Sequence, residues 1–197
     1  MKNLIIKDKI YTLDLNTKEK REWSPFHSKV CAGIKKGIIP DIKEDYKILY
    51  LGAAEGYTIS YISDLISIGE VVGIDISAYS MQKLILLSEK RKNLIPILGD
   101  CNLPENYKET IENEKFDLII QDIAQKNQIE ILKKNADLFL KKNGKVLLSL
   151  KLSAISQKHK SIINEQLNEF EKNFKIIKKT KLDPFEKKHI LIYGENK

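Results

Sequence analysis

Residues Lys47–Thr58 read KILYLGAAEGYT: four apolar residues, Ile48 to Leu51, run into Gly52, Ala53, Ala54 and Gly56, leaving almost no side-chain bulk before the next periodic segment. The apolar run suits a short strand, and the small residues suit a tight turn that opens a helix. In a βα unit such a turn lets main-chain N–H groups and the helix N-terminus come close to a ligand, which is how nucleotide-type cofactors are commonly held. The stretch predicts a strand, a cofactor loop and a helix.

Further apolar runs follow at EVVGID (70–75), NLIPIL (93–98), FDLIIQD (116–122), GKVLLSLK (144–151), FKIIKKTKL (174–182) and HILIY (189–193). Segments long enough for helices separate all but the last two, which signals βαβ units and a parallel sheet. Only DPFEKK lies between the last two runs, so they are expected to form an antiparallel hairpin. Five alternating units closing in a hairpin resemble the Rossmann-like seven-stranded α/β sheet of S-adenosylmethionine-dependent methyltransferases; the six-stranded dinucleotide-binding fold has no such hairpin. In WSPFHSKVCAGIKKG, Ser24 reads as an N-cap, Pro25 as the first helical position and Gly37 as the stop. QIEILKKNADLFLKKNG places Ile129, Leu132, Ala136 and Leu140 on one helical face and ends at Asn143-Gly144. SIINEQLNEFEKN repeats the pattern with Ile163, Leu167 and Phe170. Residues 1–22 alternate like strands, which predicts a short N-terminal β-extension followed by one α/β domain over 23–197 with helices on both faces.

A chain of 197 residues suffices for one domain with a sizeable core. With 42% hydrophobic and 31% charged residues it reads as an ordinary globular protein. No apolar run approaches the ~20 residues that cross a bilayer, and the short NLII near the start is no signal-peptide core, so a cytoplasmic location without a membrane partner is expected. Cys31 and Cys101 lack CxxC spacing or a histidine cluster, which argues for packing roles and against a metal site or disulfide. The net charge of +7 suits a nucleic-acid partner but also describes many lysine-rich surfaces.

Asp75 ends its strand a little over ~20 residues past the glycine turn, the separation at which an acidic side chain meets the ribose hydroxyls of a bound nucleoside; the bland alternative is helix capping together with Ser77. The turn is not G-x-G-x-x-G, which weakens an NAD reading. Asp100 of LGDC could hydrogen-bond an adenine amino group while Cys101 packs nearby, or simply make a turn. Asp122 emerges at the carboxyl edge of the sheet, where ligands of open α/β folds bind. The Asn/Asp-Pro-Pro-aromatic signature of base-modifying amino-methyltransferases is absent there. Asp183 to Phe185 reads as the turn of the final hairpin.

Assembled, the stretches REWSPFHSKV, KILYLGAAEGYT, RKNLIPILGD, DLIIQDIAQ, NADLFLKKNG, LSLKLSAI and LDPFEKKHILI resemble the fibrillarin family of archaeal rRNA and tRNA 2′-O-methyltransferases, in the family's order and from about Arg21 onward. The resemblance implies S-adenosyl-L-methionine as cofactor, held by Gly52, Ala53, Ala54, Gly56, Tyr57, Thr58, Asp75, Ile76, Asp100, Cys101, Asp122, Ile123, Ala124 and Gln125. It implies a catalytic set of Lys29, Asp122, Lys151 and His189, and no metal. It also implies work inside a box C/D guide RNA particle that processes rRNA and tRNA, with a coiled-coil Nop-family scaffold protein and a kink-turn-binding ribosomal-protein-like protein. The residue types suit the task. A ribose 2′-hydroxyl is a very weak acid and attacks a sulfonium methyl only when it is oriented, relieved of its proton and stabilised as charge develops. Singly, Lys29 or His189 reads as a solvated surface residue; the set gains force from its joint placement at strand ends and on the preceding helix. The basic run Lys158, His159 and Lys160 reads as a solvated helix start or an RNA-backbone contact.

Overall fold

A computed structural model of the chain describes residues 1–152 and 159–197. Lys158, and the side chains of His159 and Lys160, lie outside the described residues, as does the end of LSLKLSAI.

The strands form where the apolar runs stand. A three-stranded antiparallel sheet comes first, with β1 Leu4–Ile6, β2 Ile10–Leu13 and β3 Lys20–Trp23. The main sheet holds β4 Lys47–Leu51, β5 Glu70–Asp75, β6 Leu94–Leu98, β7 Phe116–Gln121, β8 Leu140–Lys151, β9 Phe174–Lys181 and β10 His189–Asn196, in the order β6-β5-β4-β7-β8-β10-β9. The first five pair in parallel, and β10 lies antiparallel between β8 and β9. The expected terminal hairpin is therefore present. Because β5 lies on one side of β4 and β7 on the other, the connections diverge at β4. Ligands of open α/β sheets bind outside the carboxyl ends of the strands at such a point.

Side chains alternate across β4: Ile48 and Tyr50 enter one apolar cluster, Leu49 and Leu51 the other. The first cluster is covered by α1 Lys29–Lys35, α2 Tyr57–Leu65 and α3 Ala78–Glu89; the second by α4 Gln128–Phe139 and α5 His159–Asn173. Leu167 and Phe170 of α5 are buried as its spacing predicts. Both cysteines are buried, and burial pushes each thiol up to about 12, which suits packing residues. Among the described residues, no helix is long and apolar enough to cross a membrane.

Two helix limits differ from expectation. α1 is capped by Ser28, whose Oγ accepts from Cys31 N at 3.3 Å, and not by Ser24. Ser24 Oγ accepts instead from Phe26 N at 3.3 Å, so Ser24 to His27 form a turn that swings Lys29 to the start of the helix. Gly37, at φ +86°, does follow the helix end. α4 stops at Phe139, four residues before Asn143, because Leu140 takes an extended conformation and pairs with Phe116 of β7. A tertiary ladder overrides the helical periodicity there.

The small sheet joins the main body through a buried carboxylate. Asp64 of α2 is fully buried, pairs with Arg91 Nη1 and Arg21 Nη1 at 2.5 Å each, and accepts from Thr12 Oγ1 at 2.6 Å. Arg91 also reaches Asp14 at 2.6 Å, while Trp23 stacks on Tyr61 with centroids 5.1 Å apart. Removing one member of such a buried network strands the opposite charge, which costs about 3–5 kcal/mol. Urea unfolding of Asp64→Ala is expected to show a stability loss of that size; a loss under about 1 kcal/mol would show the network to be energetically idle.

Candidate active site

The glycine turn follows β4 directly. Gly52 has φ +82°, and the main-chain N–H groups of Gly52 and Ala53 both donate to Ile74 O, at 2.9 and 3.0 Å. Asp75, the last residue of β5, straddles the turn and the next helix: Oδ2 accepts from Ala54 N at 2.7 Å and Oδ1 from Ser77 N at 2.9 Å. Ser77 itself caps α3 by accepting from Ser80 N. Asp75 thus braces the glycine turn and, with Ser77, the start of α3, as the capping reading of its position expects. Asp100 Oδ1 accepts from Asn102 N at 2.8 Å, which bends the chain after β6. A cleft opens between these ends, lined by Gly52, Asp75, Ile76, Asp100, Cys101, Asn102, Ile123 and Gln125. Two carboxylates offer acceptors for hydroxyl and amino groups, and the flanking isoleucines offer apolar faces for a flat ring. The donor set fits a nucleoside.

A second pocket shares Gly52 and Ile123 with the cleft and is completed by Lys29, Ala54, Asp122, Ala124, Lys151, Glu186 and His189. Four elements deliver its charged side chains. Lys29 begins α1, Asp122 follows β7, Lys151 ends β8 and His189 begins β10, with Lys151 and His189 facing each other across the antiparallel ladder. Lys29 Nζ donates to Asp122 Oδ2 at 3.0 Å. His189 is buried, and its Nδ1 lies 2.9 Å from Lys187 O. A carbonyl only accepts, so Nδ1 carries the proton in that bond and Nε2 of the neutral ring keeps its lone pair. Burial holds the imidazole pKa below its usual value, the Lys29 charge acts in the same direction, and the Lys187 carbonyl, Asp122 and Glu186 oppose them.

All four residues of the Lys-Asp-Lys-His set therefore meet in one pocket, and Gly52, Ala54, Asp75, Ile76, Asp100, Cys101, Ile123, Ala124 and Gln125 line one pocket or the other. The remaining expected cofactor contacts stand elsewhere. Ala53 is buried in the apolar core beneath the turn. Gly56 and Tyr57 border a groove between α2 and α3, and Thr58 Oγ1 donates to Ser28 Oγ at 3.1 Å. Two lining residues went unmarked in the sequence reading, Asn102 and Glu186. Asn102 stands two residues after Asp100 and Glu186 three before His189, spacings that a search for turn partners and neighbouring charges would pick up.

A seven-stranded sheet closed by an antiparallel hairpin, with an acid-lined cleft at its switch point, defines the α/β fold of S-adenosylmethionine-dependent methyltransferases. The comparisons carry this further: the fibrillarin family model matches residues 1–197, and the chain belongs to the fibrillarin family. It is 42% identical over 176 residues to a fibrillarin-like rRNA/tRNA 2′-O-methyltransferase of Archaeoglobus fulgidus, covering 88% of this chain and 83% of that one. A protein of the same name from Methanocaldococcus jannaschii is 40% identical over 200 residues, covering 98% and 86%. Among solved structures, fibrillarin in a fibrillarin/Nop5p complex superposes with a TM-score of 0.92 at 37% identity, covering 99% of this chain and 98% of that one. Aeropyrum pernix fibrillarin with natively bound S-adenosyl-L-methionine gives 0.86 at 32% identity, covering 94% and 88%.

The charges around His189 predict its titration. By NMR its midpoint is expected below the ordinary value of about 6.5. Lys29→Met should move it up and Asp122→Asn down, since the first removes a cation and the second an anion. A midpoint at or above ~6.5 in the unmodified chain would contradict the buried neutral ring.

Proposed function

We propose that the chain binds S-adenosyl-L-methionine and transfers its methyl group to ribose 2′-hydroxyls of rRNA and tRNA, as the catalytic subunit of a box C/D guide RNA particle. The observation that carries this reading is the pocket of Lys29, Asp122, Lys151 and His189 sharing the Gly52 and Ile123 wall with the cleft lined by Asp75 and Asp100. Asp75 and Asp100 would take the adenosine end, with Ile76 and Ile123 against its flat faces. When bound, the sulfonium supplies an electrophilic methyl group and departs as a neutral thioether.

The chain's own residues do the rest. The Lys29 and Lys151 ammonium groups hold the 2′-oxygen and stabilise the charge that grows on it as the new C–O bond forms and the hydroxyl proton leaves. Asp122, paired with Lys29, fixes that lysine's reach and offsets one of the two positive charges. The Nε2 lone pair of His189 receives the proton, directly or through a water. The neutral ring is what makes this possible, because an imidazolium has no free lone pair.

The surroundings support an RNA ligand. Lys35 and Lys36 are exposed at the end of the helix that Lys29 opens, Lys181, Lys187 and Lys188 are exposed at the end of β9 and in the loop before His189, and lysine–phosphate contacts hold a backbone without reading bases. Phe26, 59% exposed, stands three residues before Lys29 with its ring edge-on to Phe185, 5.2 Å between centroids. A Nop-family protein is the scaffold partner this reading assigns, in keeping with the fibrillarin/Nop5p complex to which the chain is similar. Guide RNA pairing would select the target, and a kink-turn-binding protein would anchor the guide.

The test is a particle reconstituted with scaffold, kink-turn-binding protein, guide and target RNA, and methyl-labelled cofactor. Label is expected on the ribose of the guide-selected nucleotide, and label on a base or on protein would overturn the reading. In the same particle Lys151→Ala should slow single-turnover transfer by about 10³-fold, near 4 kcal/mol of barrier, with cofactor affinity preserved. Near-normal turnover in that variant would remove Lys151 from the mechanism.

A further inference from the structure

The end of β8 has a partner on one side only. Its parallel ladder with β7 stops at Gln121 opposite Leu148, yet β8 runs on to Lys151, which on its other side faces His189 of β10. The gap left by β7 is filled by one side chain. Gln128, the first residue of α4 and fully buried, accepts at Oε1 from Lys151 N at 2.8 Å and donates from Nε2 to Lys151 O at 3.1 Å. A single primary amide thereby replaces both hydrogen bonds that a neighbouring strand would make. The main-chain oxygen of Gln128 in turn accepts from Gln121 Nε2 at 2.7 Å, and fully buried Gln121 immediately precedes Asp122.

We propose that Gln128 is a positioning residue for the methyl transfer: its amide pins the Lys151 peptide and, through Gln121, ties the strand end carrying Lys151 to the strand end carrying Asp122. Packing alone does not require an amide there. Leu or Met would fill the same volume, but either would leave the partly buried Lys151 N–H and C=O without their partner. The consequence is geometric. Lys151 has a long side chain whose head can work only if its root is fixed, and its root lies past the last β7 pairing. Displacement of a reacting group by about 1 Å costs on the order of 10²-fold in rate.

The inference rests on the role given to Lys151 above, and the test separates the two. Single-turnover methylation is measured in the reconstituted particle with labelled cofactor for the unmodified chain, Q128L, Q128E, Lys151→Ala and the Q128L/Lys151→Ala double variant. Q128L should lose about 10²-fold in rate with cofactor affinity and scaffold binding unchanged. Added to Lys151→Ala it should cost little more, because a positioning residue has nothing left to position. Q128E keeps the shape. Protonated, it restores both bonds, and ionised it faces Lys151 O without a donor, so its rate relative to the unmodified chain should rise as pH falls. Full activity in Q128L, an additive double variant, or a pH-independent Q128E ratio would each overturn the proposal, and the last decides the matter even if Q128L does not fold. Failure of the functional reading looks different: the unmodified particle would then place no methyl group on ribose.

Discussion

Residue 52 can carry no side chain, and both pockets depend on that. At φ +82° a Cβ on Gly52 would run into the Asp122 carbonyl oxygen and stand 2.7 Å from Ile123 Cγ2. The ends of β4 and β7 are drawn this close by a ladder hydrogen bond from Asp122 N to Leu51 O at 2.9 Å, while Gly52 N, donating to Ile74 O at 2.9 Å, ties the same turn to β5. Main chain therefore touches main chain where the connections diverge. Gly52 and Ile123 form the wall common to the cleft and the pocket, so on the proposed reading a methyl donor held in one would lie next to a hydroxyl held in the other.

Around that junction the charges are arranged with unequal freedom. Asp122 is committed to Lys29, and Asp75 to the turn and the start of α3. Burial outweighs the Lys187 carbonyl and the nearby carboxylates and holds the His189 pKa below its usual value. The order β7-β8-β10 sets Lys151 between the Asp122 strand end and His189, so the sheet itself, more than any loop, fixes the spacing of three of the four groups. Groups held by ladders need little reorganisation as charge develops, which is where electrostatic stabilisation has most effect.

Most of this was legible in the sequence. Buried parallel strands are nearly continuous apolar runs, so β4 through β8 stand out, and the short DPFEKK link forces the hairpin. The limits of α1 and α4 were not legible. Ser24 before Pro25 reads as the cap, yet tertiary structure starts the helix at Ser28; Leu140 continues a helical stripe until its pairing with Phe116 claims it. At the site, strand-end residues were readable because a strand end implies a place. Asn102, Glu186 and Gln128 stand at loop positions or a helix start, which carry no strand-end signal to place them at the site. Ala53, Gly56, Tyr57 and Thr58 are neighbours of Gly52 in sequence, but burial beneath the turn or the onset of α2 carries them out of both pockets.

Gly52→Ala tests the junction most directly. With the fold checked by circular dichroism, calorimetry and single-turnover methylation in the assembled particle should show S-adenosyl-L-methionine affinity down by at least about 10-fold and transfer slowed by about 10²-fold, since one added methyl group strains a left-handed residue and pushes Asp122 and Ile123 together. A folded Gly52→Ala chain that binds cofactor and transfers methyl groups as the unmodified protein does would contradict the account.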